Sequence, residues 1–262
     1  MQLPQSLLND VIELAREAGG FLLARRASIT IAEKGGAHNL VTQADLECEQ
    51  LVCDRLAQLL PNSQFLREEG GAAGDPSSSA LWVIDPLDGT NNYVHGIPQF
   101  CVSIGLAWNG ELELGVVYDP NRDELFAAQR GCGAFLNGQP IEVSDRPDLQ
   151  HSVIGTGFYY DRGDLVKRTL AAIGRLFDEP IRGVRRFGSA ALDLCWVACG
   201  RYDGYFEYRL GPWDYAAGAV IVREAGGRCS DRDGKALAVL SGNVIASSPQ
   251  IHTDLVRVVR WQ

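Results

Sequence analysis

The 262-residue sequence has no uninterrupted apolar stretch that approaches the roughly 20 residues needed to span a membrane. Its first residues, Met1-Gln2-Leu3-Pro4, lack the positive charges that open a secretory signal peptide. The hydrophobic content is nevertheless 46%, which is ample for a buried core. The composition indicates a soluble globular protein that acts in the cytoplasm and has no membrane partner.

The sequence is also short of basic charge, with 24 Lys and Arg against 33 Asp and Glu and a net charge of −9. Because binding to a phosphate backbone requires clustered Lys and Arg, nucleic acid is not expected as the main partner. The densest basic group is Arg182, Arg185 and Arg186. We interpret it either as a solvated strand end or as a contact to substrate or to another subunit.

Residues typical of a structural zinc site are scarce. The chain has four histidines, and its seven cysteines include no Cys-x-x-Cys pair. Cys195 and Cys199 are spaced one helical turn apart, but no histidine lies near them in the sequence. We therefore expect reduced cysteines that are buried as small apolar side chains.

The predicted elements divide the chain into two halves. Residues 1–146 contain two amphipathic helical patterns, from Gln5 to Arg26 and from Thr42 to about Leu60, followed by segments typical of an antiparallel sheet. After a polar link at residues 145–148, residues 147–262 alternate between strand and helix patterns. The expected fold class is α/β, with an α+β N-terminal half and an α/β C-terminal half.

Residues 81–90 carry the most informative pattern. The apolar run from Leu81 to Ile84 predicts a buried strand, which Pro86 and Gly89 are expected to end. The run is followed by Asp85 and Asp88, whose charges are costly to bury unless a cation compensates them. Mg²⁺ prefers oxygen ligands and needs only one or two carboxylates per ion.

This stretch also has other interpretations. The backbone N–H groups of Gly89 and Thr90 suit a phosphate if a helix starts there. A solvated turn between strand and loop is the alternative. An EF-hand is excluded because its third and fifth ligand positions would be Leu87 and Gly89.

Acidic residues stand at the ends of other predicted elements as well. Glu68 and Glu69 follow a strand, and Asp214 follows a proline at a helix start. Asp45 lies in the first turn of the second helix, where the helix dipole alone could explain it. If Glu68, Asp85, Asp88 and Asp214 converge, two divalent cations balance their charges, and a third would serve a phosphate dianion.

Four segments together resemble the inositol monophosphatase family. They are NLVTQAD (39–45), the pair Glu68-Glu69, WVIDPLDGT (82–90) and GPWDYAAG (211–218). The resemblance extends over nearly the whole chain. It implies a lithium-sensitive, Mg²⁺-dependent phosphomonoesterase with a layered α-β-α-β-α sandwich, usually a homodimer.

The resemblance also implies a metal-ligand set. Glu68, Asp85 and the carbonyl of Leu87 would bind the Mg²⁺ that activates water. Asp85, Asp88 and Asp214 would bind a second Mg²⁺ that steadies the leaving alkoxide. A weaker third ion would assist near Glu68.

Further roles follow from the same resemblance. Thr90, hydrogen-bonded to Asp45, would orient water for in-line attack without a phosphoenzyme, and the N–H groups of Gly89 and Thr90 would hold the phosphate. The positions that match the polyol site are Asp88, Gly188, Ser189, Ala190 and Glu207. For two of these a simpler role is open, because Ser189 could be only a helix cap and Glu207 only an exposed acid.

Three residues near these motifs have weaker assignments. Arg67 stands where many relatives have glycine, so we expect a more cationic approach to the first metal. Lys34 matches a family lysine near the flexible metal loop, but a lysine beside two glycines is more often only a solvated side chain. Trp213 is expected to pack and thereby aim Asp214.

The expected substrate is myo-inositol 1-phosphate or a similar polyol or sugar phosphate monoester. Fructose-1,6-bisphosphatase, histidinol-phosphatase and 3′-phosphoadenosine 5′-phosphate phosphatase activities are the alternatives. Glu207 favours inositol, whereas the absence of a basic cluster before Trp213-Asp214 disfavours a nucleotide bisphosphate. From a different functional class, the chain could act as a regulatory partner of other proteins.

Overall fold

A computed structural model describes residues 3, 5–26, 31–33, 40–70, 74–75, 78–158 and 163–260. Lys34 and Asn39 lie outside the described residues. The helices are α1 Gln5–Arg25, α2 Gln43–Leu59, α3 Thr90–Val94, α4 Asp164–Asp178, α5 Ala190–Ala198, α6 Pro212–Glu224 and α7 His252–Val259. The strands are β1 Ile31–Glu33, β2 Leu40–Thr42, β3 Gln64–Arg67, β4 Ala80–Asp88, β5 Cys101–Trp108, β6 Glu111–Asp119, β7 Glu124–Gln129, β8 Ala134–Leu136, β9 Gln139–Pro140, β10 Val153–Thr156, β11 Gly183–Arg185, β12 Gly204–Glu207, β13 Arg228–Ser230 and β14 Val244–Ser247.

The larger sheet has the strand order β3-β4-β5-β6-β7-β8-β9. Strands β3 and β4 are parallel, and the other neighbours are antiparallel. Alternate residues of β4 point to opposite faces. Trp82 and Ile84 pack in the core with α1 and α2, whereas Leu81 and Val83 pack in the core with α5 and α6. Both faces of this sheet are therefore covered by helices.

The smaller sheet has the order β11-β10-β12-β14-β13, and β1 pairs with β2 in a separate ribbon. Tyr205 on β12 belongs to the core that includes α5 and α6, while its neighbour Phe206 packs with α4 and α7. The layers are thus α1 and α2, the larger sheet, α5 and α6, the smaller sheet, and α4 and α7. This confirms the predicted α-β-α-β-α sandwich.

The two sheets come from different parts of the chain, residues 64–140 and 153–247, but α6 packs on the larger sheet. The division of the chain near residue 146 stays a prediction. None of the helices in the described part of the chain is both long and apolar enough to cross a bilayer.

The cysteines only partly match expectation. All seven are free thiols. Cys48, Cys53, Cys101 and Cys195 are buried, as expected. Cys132 is exposed, because it lies in a turn that leads into β8, and the remaining two are half-buried.

Strand β4 corrects one prediction. Pro86 does not end it, because the strand continues to Asp88 with a shift in its pairing to β5 between Asp85 and Asp88. An irregular position tolerates proline, which has no N–H group to donate. The strand ends instead at Gly89, whose φ of 98° and close approach to the carbonyl of Gln99 both require glycine.

Helix α6 lies unusually close to the larger sheet at Gly115. A Cβ atom at this position would lie 2.3 Å from the carbonyl oxygen of Ala217 on α6. Because α6 begins at Pro212 and carries Asp214 in its first turn, this contact helps to fix the distance between Asp214 and β4.

We expect Gly115→Ala to destabilise the protein by about 1–3 kcal/mol, because the new methyl group overpacks the contact between the sheet and α6. Thermal unfolding monitored by circular dichroism measures the effect. Gly174→Ala in α4 is the matched control, since a Cβ atom there meets nothing within 4 Å. Equal melting temperatures for Gly115→Ala and the unaltered protein would contradict this account of the packing.

Candidate active site

A cavity of about 370 Å³ opens where β4 ends and where helices α3, α5 and α6 begin. The structure brings nearly all predicted site residues to its wall: Glu68, Asp85, Leu87, Asp88, Gly89, Thr90, Gly188, Ser189, Ala190, Glu207 and Asp214. The remaining one, Asp45, contacts Thr90. Residues far apart in the chain therefore converge on one cavity.

Three carboxylates form the centre of this cavity. One oxygen from each of Asp85, Asp88 and Asp214 lies within 4.8 Å of the others. Glu68, at the end of β3, is close enough to hydrogen-bond with Asp85. The side chains of Asp85 and Asp88 are almost fully buried.

The electrostatics of this cluster are unfavourable without a cation. Burial, followed by the nearby Glu68 charge, holds the pKa values of Asp85 and Asp214 well above their usual range. Burial also raises the pKa of Asp88 to about 6, although hydrogen bonds to its carboxylate oppose this shift. A cluster of oxygen donors with surplus negative charge fits a hard divalent cation such as Mg²⁺.

Helix α5 holds Asp88 in place. The hydroxyl of Ser189 and the N–H of Ala191 each donate to Asp88 Oδ2 at 2.7 Å. Ser189 occupies the N-cap position of α5, as predicted, but its hydroxyl makes no capping bond and donates to Asp88 instead. On β4 itself, the N–H of Leu87 donates to Asp85 Oδ1 at 2.9 Å.

Thr90 and Asp45 form a buried pair beside the carboxylates. Thr90 Oγ1 lies 3.1 Å from Asp45 Oδ1 and 3.1 Å from the carbonyl oxygen of Leu87. The other oxygen of Asp45 accepts hydrogen bonds from the N–H and hydroxyl of Thr42, which close a capping box at the start of α2. Asp45 thus serves both the helix terminus and Thr90.

Another part of the cavity wall carries Glu207. Tyr205 donates its hydroxyl proton to Glu207 Oε2 at 2.6 Å. A Cβ atom on Gly157 would lie 1.9 Å from the same oxygen, so a larger residue there would displace the Glu207 carboxylate. Burial raises the pKa of Glu207 to about 7, against the opposing effects of Tyr205 and Arg186. The alternative of an exposed acid is therefore wrong.

Sequence reasoning missed several residues of this wall. Gly157, Asp193 and Arg209 line the cavity, and the expectation for Arg186 left its role open. Tyr205 could have been found, because residues two apart on a strand share a face and Glu207 was already a candidate. Asp193 carried no such signal, since its buried position in α5 depends on tertiary packing.

Arg67 and Trp213 differ in how well they match expectation. Arg67 does not line the cavity, and its guanidinium lies 3.4 Å from the Glu49 carboxylate on α2. The predicted cationic approach to the metal site is therefore wrong. Trp213 packs against the core beside Asp214, as expected, and also forms part of the cavity wall.

Comparison with known proteins leads to the family that the sequence motifs resemble. The inositol monophosphatase family matches residues 4–262. Nus factor SuhB of Escherichia coli K12 is 40% identical over 247 residues, which cover 94% of this chain and 92% of that protein. Inositol-1-monophosphatase of Synechocystis sp. is 44% identical over 256 residues, 95% of this chain and 88% of that protein.

Solved structures are similar over nearly the whole chain. Extragenic suppressor protein SuhB of Bartonella henselae superposes with a TM-score of 0.91 at 39% identity, covering 97% of this chain and 98% of that one. Inositol monophosphatase of Anabaena (Nostoc) sp. superposes with a TM-score of 0.88 at 42% identity, covering 97% and 95%. Both fold and sequence therefore assign the chain to one family.

The raised carboxylate pKa values predict how Mg²⁺ affects stability. Protonation of Asp85, Asp88 and Asp214 stabilises the folded state most at low pH, and this contribution is lost as pH rises through their folded pKa values. We therefore expect Mg²⁺ to raise the melting temperature more at about pH 8 than at about pH 5.5, where protons compete with the ion.

Differential scanning fluorimetry with and without Mg²⁺ measures this difference. Buried His252, whose pKa is lowered to about 4, destabilises the protein in acid with or without Mg²⁺, so it cancels from the shift. Asp214→Asn is the control and should respond little to Mg²⁺ at either pH. A Mg²⁺ shift that is equal or larger at the lower pH would contradict the prediction.

Proposed function

The chain belongs to the inositol monophosphatase family, and we propose that it is a Mg²⁺-dependent phosphomonoesterase that hydrolyses myo-inositol 1-phosphate or a similar small polyol or sugar phosphate. One observation carries this proposal. The cluster of Asp85, Asp88 and Asp214 shares a cavity with the Thr90–Asp45 pair and with Glu207. Such a cavity combines carboxylates suited to metal ions that bind phosphate with polar groups suited to an alcohol.

The proposed ligands of two to three Mg²⁺ ions are Glu68, Asp85, Asp88, Asp214 and the carbonyl of Leu87. Bound Mg²⁺ would lower the pKa of water and stabilise charge on the phosphoryl and leaving oxygens. Asp85 is close to Glu68 and to the other two acids, so it is suited to share its oxygens between neighbouring ions. Inhibition by Li⁺ remains a prediction.

Thr90 is proposed to orient the attacking water. The hydroxyl proton of Thr90 has two acceptors within the protein, Asp45 Oδ1 and the carbonyl oxygen of Leu87. The lone pairs of Thr90 Oγ1 can then accept a hydrogen bond from the attacking water on the cavity side. The N–H groups of Gly89 and Thr90 are proposed to hold phosphate oxygens.

We expect Thr90→Ala to lower kcat about 10²–10⁴-fold, the usual range for losing a group that assists proton transfer. Thr90→Ser keeps the hydroxyl and should retain most of the activity. Mg²⁺ binding, measured by isothermal titration calorimetry, should be similar in both variants. Nearly full activity in Thr90→Ala would contradict the assignment.

The alcohol is proposed to bind between Asp88 of the carboxylate cluster and Glu207. Tyr205 fixes one oxygen of Glu207, and the other can accept from a hydroxyl of the substrate. Asp88 and the backbone of residues 188–190 complete this side. Two or more hydrogen-bonding groups at fixed spacing favour a polyol over a simple alcohol.

A sugar bisphosphate is a second candidate substrate. Arg186 and Arg209 both line the cavity, and guanidinium groups suit a second phosphate. Arg209 also weakens the expectation that a nucleotide bisphosphate is disfavoured, because it supplies a positive charge shortly before Trp213. The choice between a polyol monophosphate and a sugar bisphosphate therefore depends on how Glu207 and the two arginines contact the alcohol part of the substrate.

Phosphate release from a substrate panel with Mg²⁺, with and without Li⁺, tests this proposal. The panel contains myo-inositol 1-phosphate, fructose 1,6-bisphosphate, histidinol phosphate, 3′-phosphoadenosine 5′-phosphate and p-nitrophenyl phosphate. We expect inositol 1-phosphate to be preferred. We expect Glu207→Gln to lower kcat/KM for inositol 1-phosphate about 10–100-fold, because the substrate loses a hydrogen bond to a charged group.

The remaining panel members make the outcomes distinct. Turnover of p-nitrophenyl phosphate, which has no polyol, should be nearly unchanged in Glu207→Gln. Preference for fructose 1,6-bisphosphate that is lost in Arg209→Ala would favour the second candidate. No turnover of any member by folded protein would overturn the hydrolase assignment.

A role in binding other proteins is a candidate from another class, because relatives 40% identical to this chain are named Nus factor SuhB. The carboxylate cluster and its Thr90–Asp45 neighbour support catalysis beside any such role. Homodimer formation and cytoplasmic location stay predictions.

A further inference from the structure

One buried side chain on α2 contacts both chain neighbours of Glu68. Glu49 is 4% exposed and lies one helical turn after Asp45. Its Oε2 accepts the N–H of Glu69 at 2.9 Å, and its Oε1 lies 3.4 Å from Nη1 of Arg67. A single carboxylate therefore contacts both the residue before Glu68 and the residue after it.

The contacts of Glu49 lie where the regular pairing of β3 with β4 ends. Strand β3 ends at Arg67, and the N–H of Glu68 makes a long bond of 3.3 Å to the carbonyl of Ile84. The bond from Glu69 to Glu49 holds the chain where the regular strand pairing ends. Charged hydrogen bonds of this kind are stronger than neutral ones.

The contact also determines where the Arg67 charge lies. The guanidinium folds over Gly70, where a Cβ atom would lie 2.3 Å from Arg67 Cζ. Paired with Glu49, Arg67 is directed away from the cavity. Released from Glu49, its charge could pair with the adjacent Glu68 and compete there with a metal ion.

Helix α2 thus supports two parts of the site from one face. Asp45 contacts Thr90, and Glu49, four residues later, supports the segment that carries Glu68. Side chains four residues apart lie on the same side of a helix. A single rigid element therefore links the water-orienting side of the cavity to a proposed metal ligand.

We propose that Glu49 is a positioning residue that, through Arg67 and the Glu69 N–H, directs the Glu68 carboxylate toward Asp85 and so sets the affinity for Mg²⁺. This inference rests on the proposed function in one respect, the role of Glu68 as a ligand. Glu49 itself does not line the cavity.

The test measures Mg²⁺ binding by isothermal titration calorimetry and the Mg²⁺ dependence of phosphate release in Glu49→Gln. Residues that support a metal ligand typically change metal affinity about 10–100-fold. We expect the Mg²⁺ concentration for half-maximal rate to rise about tenfold or more, while the rate at saturating Mg²⁺ changes little. A merely structural role would lower the melting temperature without this split.

Glu47→Gln is the matched control, because Glu47 lies on the same helix but pairs with Arg25 on the surface. It should leave Mg²⁺ binding unchanged. If Glu49→Gln does not fold, Arg67→Gln removes the ion pair without altering α2 and should also weaken Mg²⁺ binding.

The outcomes separate this inference from the proposed function. Unchanged Mg²⁺ affinity in folded Glu49→Gln, or in Arg67→Gln where that variant is used, would overturn the role of Glu49. Absence of Mg²⁺ binding by the unaltered protein would instead overturn the proposed metal-dependent function.

Discussion

Repulsion among closely spaced carboxylates, two of them buried, is the constraint on which the rest of this site depends. Asp85, Asp88 and Asp214 hold oxygens within 4.8 Å of one another, and Glu68 adds a further charge beside them. Water stabilises such charges poorly once they are buried, so the protein must protonate them or bind cations. A cation bound by the cluster would compensate these charges, and the arrangement of the carboxylate oxygens fits such an ion.

Several separate structural features hold these acids together against their repulsion. The shifted pairing of β4 keeps both of its aspartates buried around Pro86. Donors at the start of α5 fix Asp88, and the contact of α6 with Gly115 brings Asp214 close to the larger sheet. Because each feature comes from a different element, the cluster forms only when α5 and α6 have packed on the larger sheet.

Local sequence patterns predicted most helices and strands for physical reasons. Alternation and helical periodicity are local, so these elements and the acids at their ends could be found from the residues, whereas the order of the layers was expected from the family resemblance. Contacts between distant segments have no such signal. The donation from Ser189 to Asp88 and the pairing of Arg67 with Glu49 were missed because both partners depend on tertiary packing.

The two sides of the cavity have different consequences for function. In the proposed function, the part of the cavity built from β4 and α3 would determine the reaction, whereas Glu207, Arg186 and Arg209 would select the alcohol. The relatives carry the names inositol-1-monophosphatase and Nus factor SuhB, so family membership alone leaves the substrate open.

The most direct test of the central claim is anomalous diffraction from crystals soaked in Mn²⁺, which shares the preference of Mg²⁺ for oxygen ligands. The account predicts anomalous peaks between Asp85, Asp88 and Asp214 and beside Glu68, and their loss in Asp85→Asn. A cavity with no peak at these carboxylates under saturating Mn²⁺ would contradict it.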